Sequence, residues 1–224
     1  MIQIVAATRL SEADFWLKSA LGRSLHRLRR APGLGARLAF ENRRGLSEVY
    51  NAATRDARDA DSLVFVHDDV WLEDYFLCDR VAEGLRAFDV IGVAGNRRRL
   101  PRQPSWAFVS TGLTWDDPAY LSGSVAHGPH PFGVVNHYGP TPAACELLDG
   151  VFLAASAATL NRSGPLFDTR FSFHFYDLDF CRTARKLGLS LGTWPVCITH
   201  QSRGAFGSPQ WAEMYRAYLD KWGD

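Results

Sequence analysis

The strongest constraint on this chain is an alternation in its first hundred residues. Short apolar runs end in polar residues and are separated by segments long enough for a helix. "IQIVAA" (2–7) runs into Thr8 and Arg9, and "ARLAFE" (36–41) ends on Glu41 with Asn42 behind it. "LVFV" (63–66) meets His67, Asp68 and Asp69, and "DVIGVAG" (89–95) meets Asn96. Continuous apolar runs this short read as buried strands. After the first, Ser11 can cap a helix with Glu12 and Asp14 in its first turn. Leu17, Leu21, Leu25 and Leu28 recur at helical spacing until Pro32 and Gly33 stop it. A second helix starts near Ser47, with Val49, Ala52, Ala53 and Ala57 inward, and a third spans 72–88. Strand–helix alternation implies right-handed crossovers and a mostly parallel α/β sheet with helices on both faces. Ligands of such sheets bind beyond the carboxyl ends of the strands.

The pattern changes after Asn96. Residues 97–145 are rich in Gly, Pro, Trp and His with weak periodicity, and predict a long irregular loop region of the lid or binding-loop kind. Regularity resumes with a strand at 147–156, a helix at 177–187, a strand at 189–200 and a terminal amphipathic helix at 211–222. With 224 residues and no internal repeat, one domain is expected over 1–224.

Composition narrows the function classes. A formal net charge of +1 gives no global attraction to nucleic acid, and no nucleic-acid partner is expected. Locally, arginines crowd 23–44 and 97–102, as solvated faces or anion-binding surfaces. The four cysteines form no C-x-x-C pair, which argues against a zinc site or disulfide scaffold. No basic segment followed by an apolar core opens the chain, and no run approaches a membrane span, so a cytoplasmic location is expected. The aromatic terminal helix and basic clusters leave open a solvated face, a homodimer contact and a peripheral contact at the inner face of the membrane.

Three groups could carry chemistry. Asp68 and Asp69 either cap the following helix or bind a hard divalent cation, which would remove their mutual repulsion. Asp177, among Phe173, Phe175 and Tyr176, is either a dipole-favoured helix acid or a general base with a raised pKa. His200 at the end of an apolar strand is either structural or a metal ligand.

In order, "ENRRGLSEVYNAA", "LVFVHDDVWLED", "LLDGVFLAAS", "FDTRFSFHFYDLDFCRTARKLG" and "CITHQSRG" resemble short bacterial family 2 glycosyltransferases of the GT-A fold. The resemblance covers nearly the whole chain except 97–145. It implies a Rossmann-like GT-A fold, with a nucleotide-sugar-binding half at 1–96 and an acceptor-binding and catalytic half at 97–224. It further implies that Asp69 and His200 hold Mn²⁺ or Mg²⁺ and that Asp177 is the catalytic base. Thr8, Arg9, Glu41, Asn42, Asn51 and Asp68 fall on the donor side, and Asp149, Gly150 and Trp106 on the acceptor side. The implied reaction moves a sugar from a nucleotide-sugar donor to a glycan, glycolipid or protein-glycan hydroxyl, with inversion. The chain departs from the family pattern in having His67 for a frequent Asp, Tyr176 for a frequent Glu, and a short segment after the second strand. A nucleotidyltransferase and a non-catalytic nucleotide-sugar-binding module are the alternatives. The first is disfavoured because "AATRLSEAD" has no glycine-rich phosphate loop.

Overall fold

In the computed structural model, which describes residues 1–202 and 204–224, the first apolar run becomes strand β1 (Ile2–Ala7). Ile4 and Val5 are both fully buried, so both faces of the strand are covered and no alternation shows in its sequence. Helix α1 (Glu12–Lys18) begins at Ser11, whose side chain accepts from the Asp14 N–H. The expected single helix is broken in two. Ser19 ends α1 and caps α2 (Ala20–Leu28) by accepting from the Gly22 N–H. Leu21, Leu25 and Leu28 are buried while Leu17 is 72% exposed, so the leucine spacing marks a buried face only within α2.

β2 (Leu34–Ala39) pairs with β1 in parallel and stops short of Glu41, which turns the chain with φ 46°. α3 (Leu46–Arg55) returns it to β3 (Ser62–Val66), also parallel to β1. A strand, not the expected helix, comes next: β4 (Val70–Leu72), with α4 (Leu77–Ala87) only after it. The run at 89–95 splits into β5 (Val90–Gly92) and β6 (Ala94–Asn96).

The supposedly irregular region 97–145 supplies β7 (Leu121–His127), β8 (Val134–Gly139) and β9 (Ala143–Cys145). Val134, Val135, Asn136 and His137 of β8 are all exposed, so that strand has no buried face to write a pattern into the sequence. The rest is β10 (Leu147–Leu148), β11 (Phe152–Ser156), α5 (Ala157–Ser163), α6 (Tyr176–Lys186), β12 (Leu191–Thr193), β13 (Ile198–His200) and α7 (Pro209–Trp222).

The strands form two sheets, ordered β2-β1-β3-β11-β5-β12-β9 and β10-β6-β7-β13-β4, with β8 along β7. The first is partly parallel rather than mostly parallel: β2/β1, β1/β3 and β5/β12 are parallel, but β11 is antiparallel to β3 and β5, and β9 to β12. The cause is the way the chain changes sheets. β3, β5 and β12 each leave the first sheet at their carboxyl ends to become β4, β6 and β13, whereas β11 enters it from β10. β11, entering from the second sheet, therefore runs opposite to its neighbours β3 and β5, which leave for it, while the edge strand β9 both arrives from β8 and leaves to β10. Near one such crossing Gly123, with φ 95°, sits so tightly that a Cβ would overlap the Val93 carbonyl.

α7 fixes α6 from behind. The fully buried Asp179 pairs with Lys221 at 2.7 Å and accepts from Trp222 Nε1 at 2.8 Å. Phe175, at the start of α6, holds a left-handed φ of 65°, a conformation costing an L-residue about 1 kcal/mol or more. Its ring lies 5.4–5.6 Å from those of Trp211, Tyr215 and Tyr218, and that packing holds the backbone in place. Among the described residues no helix is long and apolar enough to cross a membrane.

Candidate active site

The candidate residues collect where the chain passes between the sheets. His67, Asp68 and Asp69 form the turn from β3 to β4, and Asp149 and Gly150 the turn from β10 to β11. β13 pairs antiparallel with β4 so that His200 faces Val70, and the Gln201 N–H donates to the Asp69 carbonyl at 3.0 Å. This register brings His200 Nε2 to 3.3 Å from Asp69 Oδ1, although 131 positions separate them. β13 also pairs with β7, His200 against His127, and the two rings lie 5.9 Å apart.

His67, Asp69 and His200 present ligand atoms that all lie within 4.8 Å of one another. Ion–ligand bonds of about 2.1 Å hold ligand atoms about 3–4 Å apart, so shifts of less than an ångström would close these three on one cation. The donor set therefore fits a divalent metal. Burial disfavours a protonated His200, but the hydrogen bond and charge of Asp69 outweigh it and raise the imidazole pKa. Burial likewise opposes ionisation of Asp69, yet His200 and His67 hold its carboxyl down to about 2.

Asp177 opens α6 beside the Asp149–Gly150 turn. Its Oδ2 accepts from the Gly150 N–H at 3.0 Å. Burial, then the charge of Asp149, push its pKa up to about 7, against the opposing hydrogen bonds from backbone N–H groups. A carboxylate tuned to that value can hold or release a proton near neutrality. Gly150 is required at this point, because a Cβ there would overlap the Tyr176 hydroxyl and crowd Asp177. Asp149 accepts from Trp106 Nε1 at 2.8 Å and from the Val151 N–H at 2.9 Å.

Two clefts meet at the His67–Asp69–His200 group. The larger, about 1040 Å³, is lined by His67, His200, Asp149, Gly150, Asp177 and a wall of aromatic rings. In that wall Trp115 and Tyr138 stack at 5.9 Å, and Trp106 stands edge-on to Tyr138 at 5.0 Å. The smaller, about 710 Å³, is lined by Thr8, Arg9, Lys18, Asn42, Arg43, Arg44, Asp68 and Asp69. Its walls are stitched by backbone bonds between the ends of β1 and β2: Asn42 N–H to the Thr8 carbonyl at 2.8 Å, and Glu41 N–H to the Leu10 carbonyl at 2.9 Å. Arg9, Arg43 and Arg44 form no ion pair among the described residues.

Two sequence candidates fall outside both clefts. Asn51 is buried, and its Nδ2 donates to the Phe167 carbonyl at 2.6 Å. It braces α3 against the segment before α6 and lines neither cleft. Glu41 points from its turn to solvent. Conversely His67, Tyr176 and Tyr138 line the site without having been singled out as site residues. His67 was legible as a strand-end imidazole next to the acid pair. Tyr138, on the patternless β8, carried no signal.

No family profile matches this chain, and no curated protein matches it. A solved structure described as "Crystal Structure of A197 from STIV" aligns with 90% of this chain and 82% of its own at 13% identity and a TM-score of 0.43. A likeness at that level carries no argument. The chain is a mixed α/β protein of two partly parallel sheets flanked by helices.

Proposed function

We propose that this protein is a metal-dependent, inverting glycosyltransferase of the GT-A class, moving a sugar from a nucleotide-sugar donor to a hydroxyl acceptor. The observation that carries this reading is the junction of two unlike clefts: a cation-lined one on the strand-end side and an aromatic one containing Asp177, with a fitting metal-ligand set between them.

The smaller cleft suits the donor. Arg9, Arg43, Arg44 and Lys18 would neutralise its phosphates, and Thr8, Asn42 and Asp68 would contact nucleobase and ribose. Asp69 and His200 would hold Mn²⁺ or Mg²⁺, and the chemistry such an ion supplies is Lewis-acid stabilisation of charge on the departing diphosphate. The larger cleft suits the acceptor, because indole and phenol faces bury the apolar faces of sugars while keeping polar edges available. Trp106 and Asp149, already bonded to each other, would orient the acceptor. Asp177 takes the hydroxyl proton as the acceptor oxygen attacks the anomeric carbon from the face opposite the diphosphate. The new glycosidic bond forms as the bond to the diphosphate breaks, and the centre inverts. A positioned general base contributes roughly 10²–10⁴ in rate.

The acceptor is a glycan or glycolipid, and the setting proposed is the cytoplasm or the inner face of the membrane. A panel of nucleotide sugars assayed for donor hydrolysis and transfer, with and without Mn²⁺, tests the proposal. Turnover of one donor that needs metal and is lost in Asp177→Asn is the expected result. Tight donor binding without turnover would replace this reading with that of a binding module.

A further inference from the structure

Tyr176 determines which nitrogen of His67 carries a proton. The Tyr176 hydroxyl lies 2.7 Å from the Gly150 carbonyl, which can only accept, so the single hydroxyl proton is committed there. The same oxygen lies 2.8 Å from His67 Nε2. That second contact therefore has Nε2–H as the donor and the tyrosine oxygen as the acceptor. A neutral imidazole protonated on Nε2 has its lone pair on Nδ1. Phe173, stacked at 5.9 Å, fixes the ring plane. Gly150 completes the support, since no larger residue leaves room for the tyrosine. An imidazole held by an outer hydrogen bond with one nitrogen left basic is the arrangement metal-ligating histidines use.

We propose that His67 ligates the metal through Nδ1 beside Asp69 and His200, and that this two-imidazole, one-carboxylate centre selects a divalent transition cation over Mg²⁺. The inference rests on the proposed reading of the junction as a divalent-metal site and names the class of ion it takes. Mg²⁺ demands oxygen ligands and sheds water reluctantly, whereas imidazole suits Co²⁺, Zn²⁺ and Fe²⁺ and is accepted by Mn²⁺. Two nitrogens in three protein ligands, one of them pre-oriented by Tyr176, favour the second group.

The metal-depleted full chain, without nucleotide, is titrated with Co²⁺ and with Mg²⁺. Co²⁺ develops the visible absorption of a nitrogen-ligated ion, and Mg²⁺ in roughly 100-fold excess leaves it in place. Pulsed electron paramagnetic resonance of the Mn²⁺ form detects two imidazole nitrogens in the unaltered chain and one in His67→Ala. Tyr176→Phe, which keeps the ring and removes the hydroxyl, weakens Co²⁺ binding about 10–100-fold. His67→Asp shifts the preference towards Mg²⁺. Equal Co²⁺ and Mg²⁺ affinities, one imidazole in the unaltered chain, or unchanged Co²⁺ binding in both His67→Ala and Tyr176→Phe would overturn the proposal. These readouts need no transfer activity. A transition-metal centre in a chain that turns over no nucleotide sugar leaves this inference standing and removes the glycosyltransferase reading. Mg²⁺-supported transfer indifferent to His67→Ala does the reverse.

Discussion

β1 and β3 pair in parallel over Ile2–Val5 and Ser62–Phe65, and each is a short continuous apolar run. β7 and β13 also pair in parallel, but share only Ala126 with Thr199 and His127 with His200. The first pair belongs to a sheet side built by local strand–helix–strand units, and its strand ends form the cation-lined cleft. The second belongs to a sheet in which β4, β6, β10 and β13 are continuous with strands of the first and β7 and β8 are not, and the aromatic cleft lies against it. The difference teaches how the two halves of the proposed site came about. The donor side follows from strand ends that local pattern already places. The acceptor and metal side depends on which distant strands happen to pair.

That contrast is sharpened by four substitutions, the largest effect coming from the acceptor side. Asp177→Asn should lower the transfer rate by about 10²–10⁴ while donor affinity stays within about twofold. In the unaltered chain the kcat/KM of the proposed transfer should fall on the acid side of about 7, where the carboxylate gains its proton. The same raised pKa has a stability sign. A carboxyl whose folded pKa lies above its unfolded one stabilises the fold while protonated, and this contribution is lost as pH rises from about 4 through about 7. Asp177→Asn should therefore raise the melting temperature at pH 8, by on the order of 10 °C for a shift of about three pKa units, and leave it unchanged at pH 3. A lower melting temperature at pH 8 would remove the buried-charge account.

Asn51→Ala tests the boundary between scaffold and site. Leaving the Phe167 carbonyl unpaired should cost about 1–3 kcal/mol of stability, read by denaturant unfolding, with donor KM unchanged. A selective donor defect in a chain of normal stability would return Asn51 to the donor side. Arg44→Ala should weaken nucleoside diphosphate binding about 3–10-fold, more at low salt, because its charge is solvent-screened. Acceptor KM should not move, and titration calorimetry at two ionic strengths decides the matter. The smallest effect is expected at Trp115, half exposed at 51%. Trp115→Ala should raise acceptor KM about 2–5-fold without touching donor binding, and the opposite split would invert the assignment of the clefts.

The strand ends at Thr8-Arg9 and His67-Asp68-Asp69 are legible because a strand covered on both faces must be apolar throughout, so the first polar residue announces its end. The breaks inside 89–95, 147–156 and 189–200 are not legible. Val93 is a buried apolar passage between two sheets, so apolarity continues across it, while Asp149-Gly150 and Pro195 interrupt the other two runs without any local sign that a second sheet begins there. Ser19 breaks a helix that the leucine spacing draws as continuous, because the same residue can end one helix and cap the next. His67 and Tyr176, two of the departures from the resembled family's pattern, carry no mark of belonging together. The structure places them 2.8 Å apart.

The sequence by itself therefore determined the alternation that makes the first sheet, the acids at its strand ends and the helix that presents Asp177, since each depends on local periodicity and capping. Only the tertiary structure decided the second sheet, the direction of β11, the meeting of Asp69 with His200 and the bond between His67 and Tyr176. The last two join residues 131 and 109 positions apart, and their register is set by the packing of whole sheets rather than by any neighbouring residue.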